Sequence, residues 1–376
     1  MKQPQTRDAR HRTRRPRRPA AGVLAAMAAI AAVLSLAGPA NAQPRPSPGS
    51  AVGGCARRDM HVTVTPASTA PGYRVAGWLC QPRARTSTVQ LLLCGLTYDH
   101  TYWTGTSPAT NWTSAALERG PAVYMIDRIG IGASDHPPAD QVPVDSEAVV
   151  THQIAAALRD GHLGGYPLVV GVGHSYGSIT LTAEAAQYRD LDALVLTGKQ
   201  PQYNQPGLAA FQSSLYPARQ DPKFAGTRMP DGYLTTPPGT RAGFFLNPDT
   251  AAPGAARWQE ATKATATTGE LGSISAARYQ GDSQRVRVPV LIIDGTSDSL
   301  FCNTGLPCDT GIQLCQRVQD LYSPGIPVAA AVVPGAGHAI DLHRNAPIAF
   351  TAANRWIGRV TTGHVAYRPN VTTCWR

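Results

Sequence analysis

The stretch Leu168–Tyr188 reads LVVGVGHSYGSITLTAEAAQY. Its first half is apolar and β-branched (Leu168, Val169, Val170, Val172), which predicts a buried strand. In its second half Ile179, Ala183 and Ala186 recur three to four residues apart, so one helix face is apolar and a helix is expected over 178–188. Between the halves lies Gly173-His174-Ser175-Tyr176-Gly177, a G-x-S-x-G sequence. Strand and helix pass close around such a sharp turn only where the flanking positions lack side chains. The turn raises the serine hydroxyl above the sheet and leaves the next amide, that of Tyr176, free to meet an oxyanion. The bland alternative is an ordinary serine on a glycine-rich turn. The pattern gains its weight from the strand before it and the helix after it.

Strand signals recur at 60–65, 73–80, 89–94, 122–126, 168–172, 193–196, 288–293 and 328–333. Helical stretches at 111–119, 147–159, 178–188, 311–322 and 346–358 separate the later ones. Strand alternating with helix predicts an α/β fold: a mostly parallel eight-stranded sheet with helices on both faces. The first two strands have no helix between them and are expected as an antiparallel hairpin at the edge. The alternation fails between strands six and seven. Residues 198–286 are rich in Pro, Gly, Thr and aromatic side chains, too long a connection to lack structure. They are expected to form a lid over the carboxyl edge of the sheet, where such sheets bind ligands.

Chemistry-bearing residues cluster after the predicted strands. Leu91–Cys94 runs into Gly95-Leu96-Thr97, a loop able to present the Leu96 amide as a second oxyanion donor. Asp294 and Asp298 both lie at the carboxyl end of the seventh strand, and His338 follows the eighth. Serine is too weak an acid to attack unaided, so a histidine must take its proton, and a carboxylate must hold that imidazole in one tautomer. The turn in YMIDRIGIGAS (Tyr124–Ser134) superficially matches a dinucleotide fingerprint. The third glycine is absent and prolines follow where a helix should start, so no nucleotide cofactor is implied. His174, His152 and His343 are read as packed or solvated, and Asp99, His100, Tyr102 and Trp103 as pocket-lining.

Together these pieces resemble the α/β-hydrolase superfamily: Cys94-Gly95 in place of the usual His-Gly, Asp127-Arg128-x-Gly-x-Gly-x-Ser134, Gly-His-Ser175-Tyr-Gly, Gly295-x-x-Asp298 and Gly337-His338. The resemblance spans about residues 88–342 and places the acid three residues beyond the glycine that ends the seventh strand. It therefore implies Ser175 as nucleophile, His338 as base and Asp298 as acid, with Asp294 the runner-up. The amides of Leu96 and Tyr176 would form the oxyanion hole. The implied activity is hydrolysis of a small-molecule carboxylic ester or related acyl bond, with no metal and no cofactor. Acyl transfer, thioester, lactone or amide cleavage would use the same triad, and a binding protein that has lost catalysis is the competitor from another class.

The remaining features bear on compartment and partners. Residues 1–42 carry eight basic side chains and one acidic, then an apolar run over 20–36 and Ala40-Asn41-Ala42, the layout of a cleaved signal peptide. That segment accounts for +7 of the chain's net charge of +10, so no basic stripe for nucleic acid remains in the rest. Residues 43–54, rich in Pro, Gly and Ser, are expected as a disordered leader to a domain at 55–376, with no membrane span once the signal is removed. Seven cysteines fit a secreted, disulfide-bonded protein. Cys55 and Cys80 flank the first strands and are expected to pair, Cys94 to be buried and free. Of Cys302, Cys308, Cys315 and Cys374, a local bridge and one to the C-terminal tail are expected; the spacing of the first three is unlike that of zinc sites.

Overall fold

The computed structural model describes residues 54–66 and 72–363. The expected signal peptide, nearly all of the leader, and Cys374 lie outside the described residues. The central sheet has eight strands: β1 (Cys55–Arg57), β2 (Gly77–Cys80), β3 (Thr88–Leu93), β4 (Ala122–Ile126), β5 (Leu168–His174), β6 (Ala193–Thr197), β7 (Val290–Gly295) and β8 (Val328–Val333). Their spatial order is β1-β2-β4-β3-β5-β6-β7-β8. From β4 to β8 the neighbours run parallel, whereas β2 joins β4, and β1 joins β2, antiparallel. Strands β3 to β7 are buried almost without interruption, because helices cover both faces and leave no solvent side for alternation. The covering helices are α1 (Trp112–Leu117), α2 (Val144–Asp160) and α3 (Tyr176–Gln187) before the long connection.

The amino-terminal edge differs from expectation. Met60–Val62 and Tyr73–Val75 do pair antiparallel, but as a separate two-stranded ribbon. The edge of the main sheet is β1, three exposed residues with no hydrophobic signal to announce a strand. It is held there by register with β2, where Cys55 lies opposite Cys80 and the two form a disulfide across a Cα–Cα distance of 4.0 Å. Cys302 and Cys308 make the expected local bridge, and Cys94 is buried and free.

Between β6 and β7 the chain folds into α4 (Gln205–Ser214), α5 (Arg241–Phe245), α6 (Ala255–Ala261), α7 (Thr268–Ser273) and α8 (Ala276–Ser283). A small antiparallel sheet of Tyr216–Pro217, Tyr233–Thr235 and Ala266–Thr267 ties them together. Two helices then follow around β8, α9 (Gly311–Val318) and α10 (Pro347–Thr361). No helix among the described residues is long and apolar enough to cross a membrane.

One buried acid sits under the sheet with a measurable cost. Glu184 of α3 is fully buried and no donor reaches either carboxylate oxygen. Burial, and then the adjacent Asp190 carboxylate, push its pKa up to about 11, so the folded protein keeps it neutral. An unfolded chain releases that proton at the ordinary glutamate value, and each pH unit above it costs the fold about 1.4 kcal/mol. The penalty is absent at pH 4 and grows as pH rises. Glu184→Gln is therefore expected to stabilise the protein by up to about 3 kcal/mol at pH 7. Urea denaturation at pH 4 and pH 7 checks this; an equal shift at both would show the proton to be irrelevant.

Candidate active site

The strand β5 ends at His174 and helix α3 begins at Tyr176, so Ser175 alone makes the turn. It does so at φ 53 and ψ −117, a conformation that side-chain-bearing residues rarely adopt and that costs about 1–3 kcal/mol. The surroundings hold it there: the Ser175 amide donates to the Thr197 carbonyl at 2.9 Å. Two residues on, a Cβ added to Gly177 would stand 2.1 Å from the Leu93 carbonyl oxygen, so helix and sheet meet only because nothing is there. The helix starts two residues earlier than expected because the turn is completed within a single residue.

His338 lies in the turn after β8 and Asp298 in the turn after β7, and parallel pairing of these strands brings the two together. His338 Nδ1 is 2.9 Å from Asp298 Oδ2, with both side chains fully buried. The other carboxylate oxygen accepts from the Leu300 amide at 2.9 Å, which fixes the plane of the carboxylate. A carboxylate facing Nδ1 keeps the proton on that nitrogen and leaves Nε2 as the acceptor. Asp294 faces elsewhere: still within β7, its Oδ2 accepts from Gln200 Nε2 at 3.1 Å, and burial followed by repulsion from Asp298 pushes its pKa up to about 8.

The expected oxyanion loop runs past the serine at close range. A Cβ on Gly95 would come within 2.8 Å of the Ser175 Cβ. Among the described residues no hydrogen bond uses the amide of Leu96 or of Tyr176. Both residues line one pocket with Ser175 and His338. Arg128, of the DRxGxG segment, braces this arrangement from beneath. Its guanidinium donates to the Cys94 carbonyl at 2.8 Å, lies 4.9 Å from the Tyr176 ring centre and pairs with Glu147 of α2 and, at 2.6 Å, Glu270 of α7.

The pocket is otherwise apolar and narrow, with about 20 Å³ open to the centre of a water molecule, room for roughly one water. The long insertion contributes Leu208, Phe211, Phe245 and Ile274 to its wall. Of the loop after Gly95, Tyr98 reaches the pocket; Asp99, His100, Tyr102 and Trp103 do not. Asp99 instead caps the short 3-10 turn His100–Trp103, while His100 stacks on Trp78 at 3.5 Å and meets Asp127 at 2.7 Å. His100 does not take the place of the histidine expected at Cys94, whose thiol donates to the Tyr98 carbonyl. His174 is fully buried, stacks on Tyr102, and is held neutral by burial and by the positive charge His338 can carry. The Cys302–Cys308 disulfide consumes two thiols that a zinc ion would have needed.

The profile of the alpha/beta hydrolase family matches residues 90–353. The chain belongs to that family. None of the curated proteins matches it. Among solved structures the hydrolase is similar to a lipase in its open form, at 17% identity over 82% of this chain and 99% of that one, with a TM-score of 0.55. It is similar also to a bromoperoxidase from Bacillus anthracis (18% identity, 81% and 100% covered, TM-score 0.52) and to the esterase domain of a Rhodothermus marinus protein (15%, 81% and 98%, 0.51). At these identities the likeness is one of fold, and the activities these proteins are named for differ among themselves.

Sequence reading missed one polar residue of the hydrolase's pocket, Lys199, two positions past β6. Its place at the carboxyl end of a central parallel strand was the available signal. Phe245 and Phe301, whose rings flank His338 at 5.7 and 5.6 Å, lie in segments where nothing local distinguishes them from core aromatics.

Proposed function

We propose that the protein is an exported serine hydrolase that cleaves a carboxylic ester or related acyl bond. The observation carrying the reading is a pocket lined by a backbone-strained Ser175 and by His338, whose other ring nitrogen faces the buried Asp298. Ser175 Oγ attacks the acyl carbon while His338 Nε2 takes its proton. The carbonyl oxygen becomes an oxyanion that the Leu96 and Tyr176 amides receive, and collapse expels the alcohol with the proton returned by His338. Water, deprotonated by the same imidazole, then releases the acid and restores the serine. Asp298 keeps the imidazole oriented and stabilises its charged form. Export is supported by the Cys55–Cys80 and Cys302–Cys308 disulfides among the described residues and by the leader-like composition of residues 1–42. The aromatic wall from the insertion, closed over so small a cavity, supports its reading as a lid that must open for substrate.

The test is labelling of the chain from Gln43 onward with a fluorophosphonate, the adduct being located by mass spectrometry. One adduct on Ser175, lost in His338→Ala, is expected; a folded protein that takes no label even with the insertion trimmed would refute the reading. The acid is tested separately. Asp298→Asn is expected to lower kcat about 10⁴-fold by destroying the tautomer, whereas Asp294→Asn stays within about tenfold of the unaltered protein.

A further inference from the structure

Lys199 is the anomaly of this pocket. It is 1% exposed, yet lines the same cavity as Ser175 and His338 in an otherwise apolar wall. Buried lysines are ordinarily paired with a carboxylate, and among the described residues Lys199 makes no ion pair. Its ammonium is surrounded instead by ring faces: Nζ lies 4.3 Å from the centre of Tyr279, 4.7 Å from Phe301 and 4.8 Å from Tyr203. Ring faces attract a cation but take up no strong hydrogen bond, so they hold the ammonium in place and leave its N–H donors unspent. The two nearby carboxylates are engaged elsewhere, Asp298 with His338 and Leu300, Asp294 with Gln200.

We infer that Lys199 is a subsite for an anion: the ester this enzyme cleaves carries a carboxylate that the caged ammonium binds beside the reacting carbonyl. The inference rests on the hydrolase reading above and names its substrate class. Hydrogen bonding to a charged partner inside an apolar pocket is the strong kind, and a carboxylate supplies the acceptor that the rings cannot. Burial pushes the Lys199 pKa down to about 7, against the pull of Asp294 and Asp298, which marks an ammonium short of compensating charge. A neutral substrate would leave it so.

The experiment compares matched esters. In one set p-nitrophenyl butyrate, pentanoate and hexanoate are set against the mono-p-nitrophenyl esters of succinate, glutarate and adipate. In the other the carboxylate sits in the alcohol part. The unaltered enzyme should favour the carboxylated member of at least one pair, and Lys199→Met should lower that preference in kcat/KM by about 10- to 100-fold. Lys199→Arg should retain part of it. Preference for the neutral ester in both sets overturns the inference without recourse to any variant. So does a Lys199→Met enzyme that loses activity on both members in parallel, since a structural role alone would do that. Fluorophosphonate labelling separates the two levels. A labelled enzyme with no carboxylate preference sinks the subsite and leaves the hydrolase; no label and no turnover sinks both.

Discussion

Ser175→Ala is expected to lower kcat on an activated ester by about 10³- to 10⁶-fold while leaving the fold intact. The residual rate would come from the Leu96 and Tyr176 amides and from binding, which persist without the nucleophile. The serine side chain makes no hydrogen bond that holds the turn; the turn is held by its backbone, through the Thr197 carbonyl and the start of α3. Thermal stability should therefore change little in Ser175→Ala, since alanine at φ 53 is as strained as serine. Ser175→Gly should raise it, because glycine adopts that conformation freely, by about 1 kcal/mol or more. Turnover and melting temperature measured on both variants check the pair. A Ser175→Ala protein retaining a tenth of wild-type turnover would put the nucleophile elsewhere.

Arg128→Met is expected to be the most destabilising single change near the site. The guanidinium is fully buried between Glu147 and Glu270, and its removal strands two carboxylates in the core, at a cost of about 3–5 kcal/mol. Burial already pushes Glu147 up to about 7 against the pull of Arg128. Without the arginine Glu147 is held protonated in the fold, while the unfolded chain releases its proton near the ordinary glutamate value. The loss should then grow as pH rises from 5 to 8, which urea denaturation measures; a loss independent of pH would show that packing alone was disturbed. Arg128 also holds the Cys94 carbonyl and the Tyr176 ring, so kcat should fall in the variant. Adding Glu147→Gln and Glu270→Gln should recover stability without recovering kcat, which would mark Arg128 as a positioning residue for the two amides.

Much of this architecture was legible in the chain itself. Largely apolar runs at Val89–Leu93 (interrupted by Gln90), Leu168–Val172 and Val328–Val333 announced parallel strands, because strands covered on both faces have few solvent-facing positions for polar residues. The elbow, the order of serine, aspartate and histidine, and the Gly95 loop were likewise readable, since backbone geometry demands glycine at fixed offsets. The edge strand Cys55–Arg57 was not: its place comes from pairing and a disulfide, neither of which needs a local hydrophobic pattern. Nor were the roles within 99–103, where burial against Trp78 and Asp127 turned His100 away from the pocket. Local sequence thus determined which residue types stand at the strand ends, because strand, turn and helix follow short-range rules. Tertiary structure alone decided which side chains of the insertion line the pocket beside Ser175, and that Lys199 makes no ion pair among three rings. Those facts depend on contacts between segments far apart in the chain, and no local pattern encodes them.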